Sequence, residues 1–290
     1  MKLLLTGADG FTGQHFIPLA RAAGYDVVEL KCDLRDREAV KKFIAETAPQ
    51  AVVHLAAISF VGHADAGEFY SVNVNGTLNL LDALLALPQV PQSILLASSA
   101  NVYGNCDQSP ISEEQVPKPV NHYAISKLAM EHAARLYSDK LPLFIVRPFN
   151  YTGPGQAPSF LIPKLVMHFA SGGGALELGN LEVEREFNDV RFVCEAYLRL
   201  LKSGKRGEVY NICTGKPVLV TSVITLLKEI SGCPLEIVTN SAFMRPHEVY
   251  RLCGDPTKLF REIGSLELPD LDNTLRWMLT SESQALRSCA

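Results

Sequence analysis

The N-terminal half of the chain alternates short apolar runs with longer segments whose apolar residues recur at helical spacing. The apolar runs are continuous, which is typical of strands covered on both faces of a parallel sheet. Strands are predicted at residues 3–6, 26–30, 51–55, 93–97 and 143–147. Helices are predicted at residues 11–23, 35–48, 69–87 and 122–138. Pro18 falls inside the first helix, where we expect a kink or a later start.

Strands that alternate with helices predict an α/β fold with a doubly wound parallel sheet of the Rossmann type. After Arg147 the pattern breaks at RPFNYTGPGQAP, and short elements follow, ending with helices near residues 256–263 and 270–279. We therefore predict a Rossmann domain in residues 1–149 and a smaller C-terminal α/β substrate lobe that is mainly residues 150–290. The chain is expected to return to the first domain at residues 186–212, and the crevice between the two parts is the expected ligand site.

The composition narrows the class of protein. The chain has 290 residues, 47% of them hydrophobic and 20% charged, which is ordinary for a globular protein. A net charge of -4 gives no support for nucleic-acid or anionic-membrane partners. The seven cysteines and seven histidines form no ligand spacing, so we predict neither a disulfide framework nor a metal site. The first apolar run is too short for a secretion signal, and we expect a cytoplasmic protein without a membrane span.

Three glycines, Gly7, Gly10 and Gly13, separate the first predicted strand from the first helix in TGADGFTG. Such a turn brings backbone N–H groups and a helix N-terminus to a pyrophosphate. We predict that residues 7 and 9–13 bind a dinucleotide, namely Gly7, Asp9, Gly10, Phe11, Thr12 and Gly13. The alternative is an ordinary tight turn.

The second predicted strand bears on cofactor choice, because it ends on Lys31. A lysine there can pair with a 2′-phosphate, which favours NADP(H), with NAD(H) as the alternative. Glu29 argues mildly for NAD(H), and a solvated surface lysine is the other interpretation. Asp33 and Leu34 are predicted to contact the adenine, although Asp33 also suits a helix N-cap.

Three polar residues predict the chemistry. Ser99 follows a buried strand in ILLASSANVYG, and HYAISK places Tyr123 and Lys127 four residues apart on one helix face. A nearby ammonium lowers the pKa of a phenol, and a tyrosine so tuned can exchange a proton near neutral pH. A serine hydroxyl can hold a carbonyl oxygen beside it, so the set suits hydride exchange between a nicotinamide and a carbonyl. The Tyr–Lys pair alone would more simply be a helix surface pair.

The motifs together resemble those of the extended short-chain dehydrogenase/reductase family, which acts largely on nucleotide-linked sugars. The matching segments are TGADGFTG, DLRD, HLAA at 54–57, NVNGT at 73–77, SSANVYG at 98–104, YAISK at 123–127 and RPFNYTGPG at 147–155. The resemblance implies a catalytic triad of Ser99, Tyr123 and Lys127, with Tyr123 and Lys127 also contacting the cofactor. It also implies cofactor contacts from Leu55, Ala56 and Ala57, and a homodimer formed by the helices near 69–87 and 122–138.

The site residues separate the reactions of that family. Its sugar-nucleotide 4,6-dehydratases carry an acidic residue, often Asp-Glu, where this chain has Ala100 and Asn101, so dehydration is disfavoured. Reduction or oxidation at a sugar carbon and epimerisation remain, and Lys31 favours a reductase that uses NADPH. Four C-terminal segments resemble GDP-4-keto-6-deoxy-D-mannose reductases, which form GDP-D-rhamnose: SFLIPKL, EREFNDV, EVYNICTGK and RPHEVYRLCGDPTKL. Phe192 departs from that likeness, since the family often has Asp at this place.

The same resemblance implies contacts with a nucleotide-sugar substrate from Ser59, Asn150, Lys164, Arg185, Arg245 and Glu248. Each of the charged residues among them could instead form a surface salt bridge. Two other functions stay open, a nucleotide-sugar 4-epimerase with tightly bound NAD and a non-catalytic NADP-binding sensor. The nucleotide base and the configuration of the product are not decided by these residues.

Overall fold

The computed structural model describes residues 1–106, 108–172, 174–243, 249–267 and 269–289. Its strands are β1 (Lys2–Thr6), β2 (Asp26–Glu29), β3 (Ala51–His54), β4 (Ser93–Ala97), β5 (Leu143–Pro148), β6 (Tyr151–Thr152), β7 (Ala175–Leu178), β8 (Glu184–Arg185), β9 (Asn188–Asp189), β10 (Val209–Ile212), β11 (Val218–Leu219), β12 (Glu236–Thr239) and β13 (Arg251–Leu252). Its helices are α1 (Phe11–Ala22), α2 (Arg37–Thr47), α3 (Ala66–Tyr70), α4 (Thr77–Leu85), α5 (His122–Arg135), α6 (Leu161–Ala170), α7 (Val190–Ser203), α8 (Val220–Ser231), α9 (Thr257–Ile263) and α10 (Leu271–Cys289).

The main sheet has six strands in the order β10-β5-β4-β3-β1-β2, and every pair in it is parallel. The doubly wound α/β fold predicted from the sequence is therefore confirmed. The order reverses between β1 and β3, and ligands of such sheets bind at the carboxyl ends of the strands beside that reversal.

The continuous apolar runs serve two cores at once. Leu3 and Leu5 pack with α1 and α7 on one face of the sheet, whereas Leu4 packs with α2 and α4 on the other. All three leucines are fully buried. Successive strand residues point to opposite faces, so a strand covered on both sides has no polar position to alternate with.

The chain returns to the main sheet after the first lobe segment. β10 pairs with β5, and α7 and α9 pack against the same core as α1. Phe192 belongs to that core and is only 3% exposed, so its ring fills apolar space. The division into residues 1–149 and 150–290 stays a prediction.

The smaller part of the chain has its own core, formed by α6, α8 and α10 with strands β7 and β12. Beside it lies a three-stranded sheet in the order β11-β8-β13. Between β8 and β9, the fully buried Glu186 accepts backbone hydrogen bonds from Gly254 (2.6 Å) and Thr214 (2.7 Å). Burial raises the pKa of Glu186, and these donors stabilise the charged form. One carboxylate thus ties together the segments that follow β8, β10 and β13.

Helix boundaries differ from the sequence predictions for identifiable reasons. α1 begins at Phe11 and continues through Pro18, so the later start is wrong. Pro18 has no N–H to donate to the carbonyl of Gln14, four residues earlier. Both residues lie on the exposed side of α1, where water can donate to that carbonyl instead. α2 begins at Arg37 because Asp36 caps it by accepting from the N–H of Ala39 at 3.0 Å. Asp33 is therefore not the N-cap.

The long helix predicted at 69–87 consists of α3, a π-helical turn at Ser71–Gly76, and α4. The wide turn carries the buried Asn73 and leads into the buried Thr77, both of which bind the end of β3 or the loop after it. Turns of this kind are frequent at functional sites. Along the described ranges, no helix is long and apolar enough to cross a membrane.

Candidate active site

The glycine turn forms a cradle that side chains would fill. Gly7 has a φ of 70°, and a Cβ there would lie 2.7 Å from the backbone nitrogen of Ala56. A Cβ at Gly13 would lie 2.6 Å from the carbonyl oxygen of Ala8. Gly10 is the N-cap of α1 and has no side chain to occupy the first free N–H groups of the helix. These residues fit the pyrophosphate of a dinucleotide, which needs close backbone approach and free donors.

A buried chain of hydrogen bonds centred on His54 joins the glycine turn to β3 and α4. His54 Nδ1 lies 2.7 Å from Thr6 Oγ1, and His54 Nε2 lies 2.8 Å from Thr77 Oγ1. Thr77 donates its proton to the carbonyl of Asn73, and Thr6 accepts from the N–H of Ala56. This network assigns the proton of the ring to Nε2 and lets Thr6 donate to Nδ1. Burial lowers the pKa of His54 to about 3, so the ring is neutral.

Asn73 carries the same connection on to α5. Its Oδ1 accepts from the N–H of Ile58 at 2.9 Å, and its Nδ2 donates to Ser126 Oγ at 3.0 Å. Ser126 in turn donates to the carbonyl of Tyr123 at 2.8 Å. The loop after β3 and the helix that carries Tyr123 are thereby held in one arrangement.

The three predicted catalytic residues meet at the carboxyl end of β4. Ser99 follows that strand, and its hydroxyl hydrogen-bonds the phenol of Tyr123 and accepts from the N–H of Asn101 at 3.2 Å. Tyr123 lies in the first turn of α5, which Asn121 caps. Lys127 lies one turn later, and its Nζ donates to the carbonyl of Ala97 at 2.7 Å. The three side chains bring together a hydroxyl, a phenol and an ammonium, which are groups that can take part in proton transfer to a carbonyl oxygen.

The ionisation of this group differs from the sequence expectation. Burial raises the pKa of Tyr123, and the hydrogen bond from Ser99 only partly offsets the rise. The expected lowering is therefore wrong for the site in this structure, because Tyr123 is only 7% exposed. Burial also lowers the pKa of Lys127 to about 8, while the charge of Glu131 acts against that change.

A buried polar network that the sequence reasoning missed lies directly beneath the triad. Arg147 on β5 binds Glu131 through Nη2 and Oε2 at 2.6 Å and through Nε and Oε1 at 2.9 Å. Ser98 donates to Glu131, and Arg147 donates to the hydroxyl of Tyr103 at 2.9 Å. The one available signal was spacing, since Glu131 is four residues after Lys127 on the same helix face.

A cavity of about 1010 Å³ runs from the glycine turn past the triad to the smaller lobe. The predicted residues that line it are Gly7, Asp9, Gly10, Phe11, Thr12, Gly13, Leu55, Ala56, Ala57, Ser59, Ser99, Tyr123, Lys127, Asn150 and Arg185. Arg185 also donates to the carbonyl oxygens of Glu184 and Val249. The cavity therefore joins most of the residues expected to bind cofactor and substrate, which the sequence placed far apart.

Other predicted residues lie outside the cavity wall. Lys31 is exposed just beyond β2, and Asp33 binds the guanidinium of Arg35 at 2.7 Å, which lowers the pKa of Asp33. Leu34 is buried against α4. Lys164 donates to the carbonyl of Glu177 at 3.2 Å.

The ammonium of Lys164 also lies 5.4 Å from the ring centre of Phe243, a residue that lines the cavity. Lys164 therefore contacts the cavity wall from behind. The predicted contacts of Arg245 and Glu248 lie outside the described residues.

Tyr151 is a cavity residue to which the sequence analysis gave no role, although it stands inside the RPFNYTGPG segment. Its hydroxyl lies 2.7 Å from Thr12 Oγ1, and its ring stacks on Phe11 at 5.9 Å. Burial raises the pKa of Tyr151, so its phenol stays protonated. Tyr151 thus joins β6 to the glycine turn.

The part of the chain that the structure describes holds no group of three or more His, Cys, Asp and Glu side chains arranged to bind a metal ion.

The chain is similar in sequence and fold to known proteins. Residues 3–213 match the NAD dependent epimerase/dehydratase family. A GDP-6-deoxy-D-talose 4-dehydrogenase from Aggregatibacter actinomycetemcomitans is 38% identical, over 91% of this chain and 92% of the relative. A GDP-6-deoxy-D-mannose reductase from Pseudomonas aeruginosa is 35% identical, over 99% of this chain and 98% of the relative. The solved structure of RMD from Pseudomonas aeruginosa complexed with NADPH superposes with a TM-score of 0.90 at 34% identity, over 98% of this chain and 99% of that one.

The neutral His54 predicts a pH-dependent stability. Because its folded pKa of about 3 is below the unfolded value, the unfolded chain takes up a proton first as the pH falls. The contribution of the neutral His54 to the free energy of unfolding is fully present above about pH 6.5. It is lost below that pH at about 1.4 kcal/mol per pH unit. Urea unfolding of the wild type from pH 7 to pH 5 should show this slope, and His54→Gln should show a shallower one. The exposed His122→Gln is the control, and equal slopes in all three proteins would contradict the assignment.

Proposed function

Because the chain belongs to the NAD-dependent epimerase/dehydratase family and is an NAD(P)-dependent oxidoreductase of the short-chain dehydrogenase/reductase type, we propose that it reduces the C4 ketone of a nucleotide-linked 4-keto-6-deoxy sugar with NADPH. The substrate we propose is GDP-4-keto-6-deoxy-D-mannose, and the product is GDP-D-rhamnose. Two relatives support the class of reaction, since both are named for oxidoreduction of GDP-linked 6-deoxy sugars.

The observation that carries the proposal is that few of the described side chains lining the cavity can act as an acid or a base. Among the described residues of its wall, Asp9 is the one carboxylate, and it belongs to the glycine turn. Next to the triad stand Ala100 and Asn101, which cannot exchange a proton as a carboxylate does. A site with Tyr123 as its proton donor suits a single reduction better than a dehydration, which needs a further acid and base.

The residues of the glycine turn would hold the cofactor. Gly7, Gly10 and Gly13 leave room for the pyrophosphate, and the N-terminus of α1 faces it. NADPH is proposed over NADH because Lys31 lies two residues after the end of β2, and because the similar RMD structure contains NADPH. Glu29 does not oppose this choice strongly, since Arg21 lies 3.5 Å from its carboxylate.

The chain's own groups then handle the oxygen of the ketone. When bound, the reduced nicotinamide supplies the hydride that converts the ketone carbon to an alcohol carbon. Ser99 and Tyr123 donate hydrogen bonds to the ketone oxygen, and Tyr123 transfers its proton to that oxygen as the negative charge develops. The ammonium of Lys127 stabilises the phenolate that remains. The phenol then regains a proton from solvent.

The substrate contacts remain part of the proposal. Ser59 and Asn150 line the cavity and are proposed to contact the sugar. Arg185 lines the cavity in the smaller lobe, and a guanidinium suits phosphate oxygens. We keep Lys164, Arg245 and Glu248 as further proposed contacts. Lys164 would act through Phe243, whose ring it faces.

Two alternative functions make different demands. A nucleotide-sugar 4-epimerase would use the same triad but would retain bound NAD and consume no reductant. A non-catalytic NADP sensor would bind the cofactor without turning over any sugar. The presence of both Tyr123 and Lys127 argues against the sensor, since binding the cofactor alone requires no proton donor.

The proposed reaction predicts that the purified protein oxidises NADPH when GDP-4-keto-6-deoxymannose is added. Tyr123→Phe should lower kcat by about 10²–10⁴, because it removes the proton donor but leaves the ring in place. The assay follows the loss of reduced-nicotinamide absorbance, and NMR of the product distinguishes the rhamno from the talo configuration at C4.

Tyr25→Phe is the matched control, because Tyr25 is also 7% exposed but lies before β2, away from the carboxyl ends of the strands. Substantial activity in Tyr123→Phe would refute the mechanism. Wild-type protein that oxidises neither NADPH nor NADH would reject this substrate, and NAD released on denaturation would then favour the epimerase.

A separate prediction concerns cofactor choice. Lys31→Ala should reduce the ratio of kcat/KM for NADPH to that for NADH by about 10–100-fold, the value of one charge-assisted hydrogen bond. Lys41→Ala, an exposed lysine on α2, should leave the ratio unchanged. An unchanged ratio in Lys31→Ala would assign the 2′-phosphate to another residue.

We also propose a homodimer of a cytoplasmic enzyme, formed by the outer faces of α4 and α5. Ile125 is 39% exposed on α5, and Leu136 is 84% exposed at its end. Sedimentation velocity should give twice the mass of one chain, and Ile125→Glu should shift the protein toward monomer. Leu286→Glu, at a 42% exposed leucine on α10, is the control. A wild-type monomer at micromolar concentration would contradict the proposal.

A further inference from the structure

Two consecutive residues at the end of β4 are held by two residues one turn apart on α5. The carbonyl of Ala97 accepts from Lys127 Nζ at 2.7 Å, and Ser98 Oγ donates to Glu131 Oε1 at 2.5 Å. Ser99 is the next residue along the chain. The helix that carries Tyr123 therefore also sets where the hydroxyl of Ser99 lies.

Glu131 is itself fixed from the other side by Arg147. The guanidinium contacts both carboxylate oxygens, and the Glu131 and Arg147 side chains are 0% and 2% exposed. A buried pair of this kind is costly to desolvate, and removal of one partner leaves the other charge uncompensated. The pair is therefore a rigid support that a solvent-exposed carboxylate could not provide.

We propose that Glu131 is a positioning residue of the active site, which places a negative charge beside the ammonium of Lys127 and holds the strand end that presents Ser99. The proposal rests on the proposed reduction for its kinetic consequence. It assigns a role to a residue that touches neither substrate nor cofactor.

The charges around Lys127 support this role. Tyr123 and Glu131 lie on its own helix, His54 faces it from β3, and Arg147 stands behind Glu131 on β5. His54 is neutral because its pKa is about 3, so Glu131 is the anion of this set. Burial already lowers the pKa of Lys127 to about 8, and the charge of Glu131 opposes a further fall. Without it, the ammonium would be deprotonated nearer neutral pH.

The test is Glu131→Gln, which keeps the shape of the side chain and removes its charge. Two measurements are made on the full-length protein. The first is the pH profile of kcat for ketone reduction with NADPH. The second is the pH dependence of acetylation of Lys127 by acetic anhydride, read by mass spectrometry without cofactor or substrate. Both alkaline transitions should move down by about one pH unit or more.

The matched control is Glu195→Gln on α7. It removes an ion pair with Arg199 (2.9 Å), and these two residues are four apart on one helix, as Lys127 and Glu131 are on α5. Its two transitions should stay in place. A folded Glu131→Gln whose acetylation profile equals that of the wild type would overturn the proposal. If Glu131→Gln folds poorly, the double variant Glu131→Gln/Arg147→Met leaves no unpaired buried charge and carries the same two measurements.

Ser98→Ala separates the tether from the charge. Because Glu131 keeps its charge, the acetylation profile should not move, whereas kcat should fall several-fold, about the effect of one lost hydrogen bond. An unchanged kcat would overturn the tethering role. A shifted acetylation profile in Glu131→Gln, together with a wild type that reduces no ketone, would leave Glu131 beside Lys127 and would reject only the proposed function.

Discussion

A Cβ at residue 7 would lie 2.7 Å from the backbone nitrogen of Ala56, so the first turn and the chain after β3 can meet only with glycine there. That contact creates the cradle for a dinucleotide, and the His54 chain fixes it, because Thr6 and Thr77 saturate both ring nitrogens. The ring is neutral in this arrangement, because burial lowers the pKa of His54 to about 3. The HLAA segment thus ties β1, β3 and α4 together through His54.

Buried hydrogen bonds connect this contact to α5, the helix that carries Tyr123. Asn73 binds the loop at Ile58 and reaches Ser126 on α5, so the π-helical turn that carries it connects cofactor loop and Tyr123. On the far side of α5, the Glu131–Arg147 pair connects the same helix to β4 and β5. α5 is therefore held on both sides by buried polar groups, which specify one orientation more sharply than apolar packing would.

The sequence predicts well what lies within one element or one turn. The glycine spacing, the Tyr–Lys pair and the continuous apolar strands all depend on local periodicity, and the parallel sheet follows from their alternation. The missed features depend on pairs distant along the chain, such as Thr12 with Tyr151 or Tyr103 with Asn211. The direction of the Tyr123 pKa was wrong for the same reason, because burial is a property of the assembled site. The π-helical turn has no periodic signature over its six residues.

The electrostatic character of the cavity differs from that of the whole chain. The net charge is -4, yet the charged residues that line the cavity in the described ranges are Lys127, Arg185 and Asp9. Two cations against one anion favour ligands that carry phosphates, and Lys127 lies where charge develops on a phenol. Because both Tyr123 and Lys127 are desolvated, each favours its neutral form when considered alone. In the proposed reduction, proton transfer from Tyr123 then depends on Lys127 keeping its charge, so the buried anion at Glu131 would support the chemistry as well as the fold.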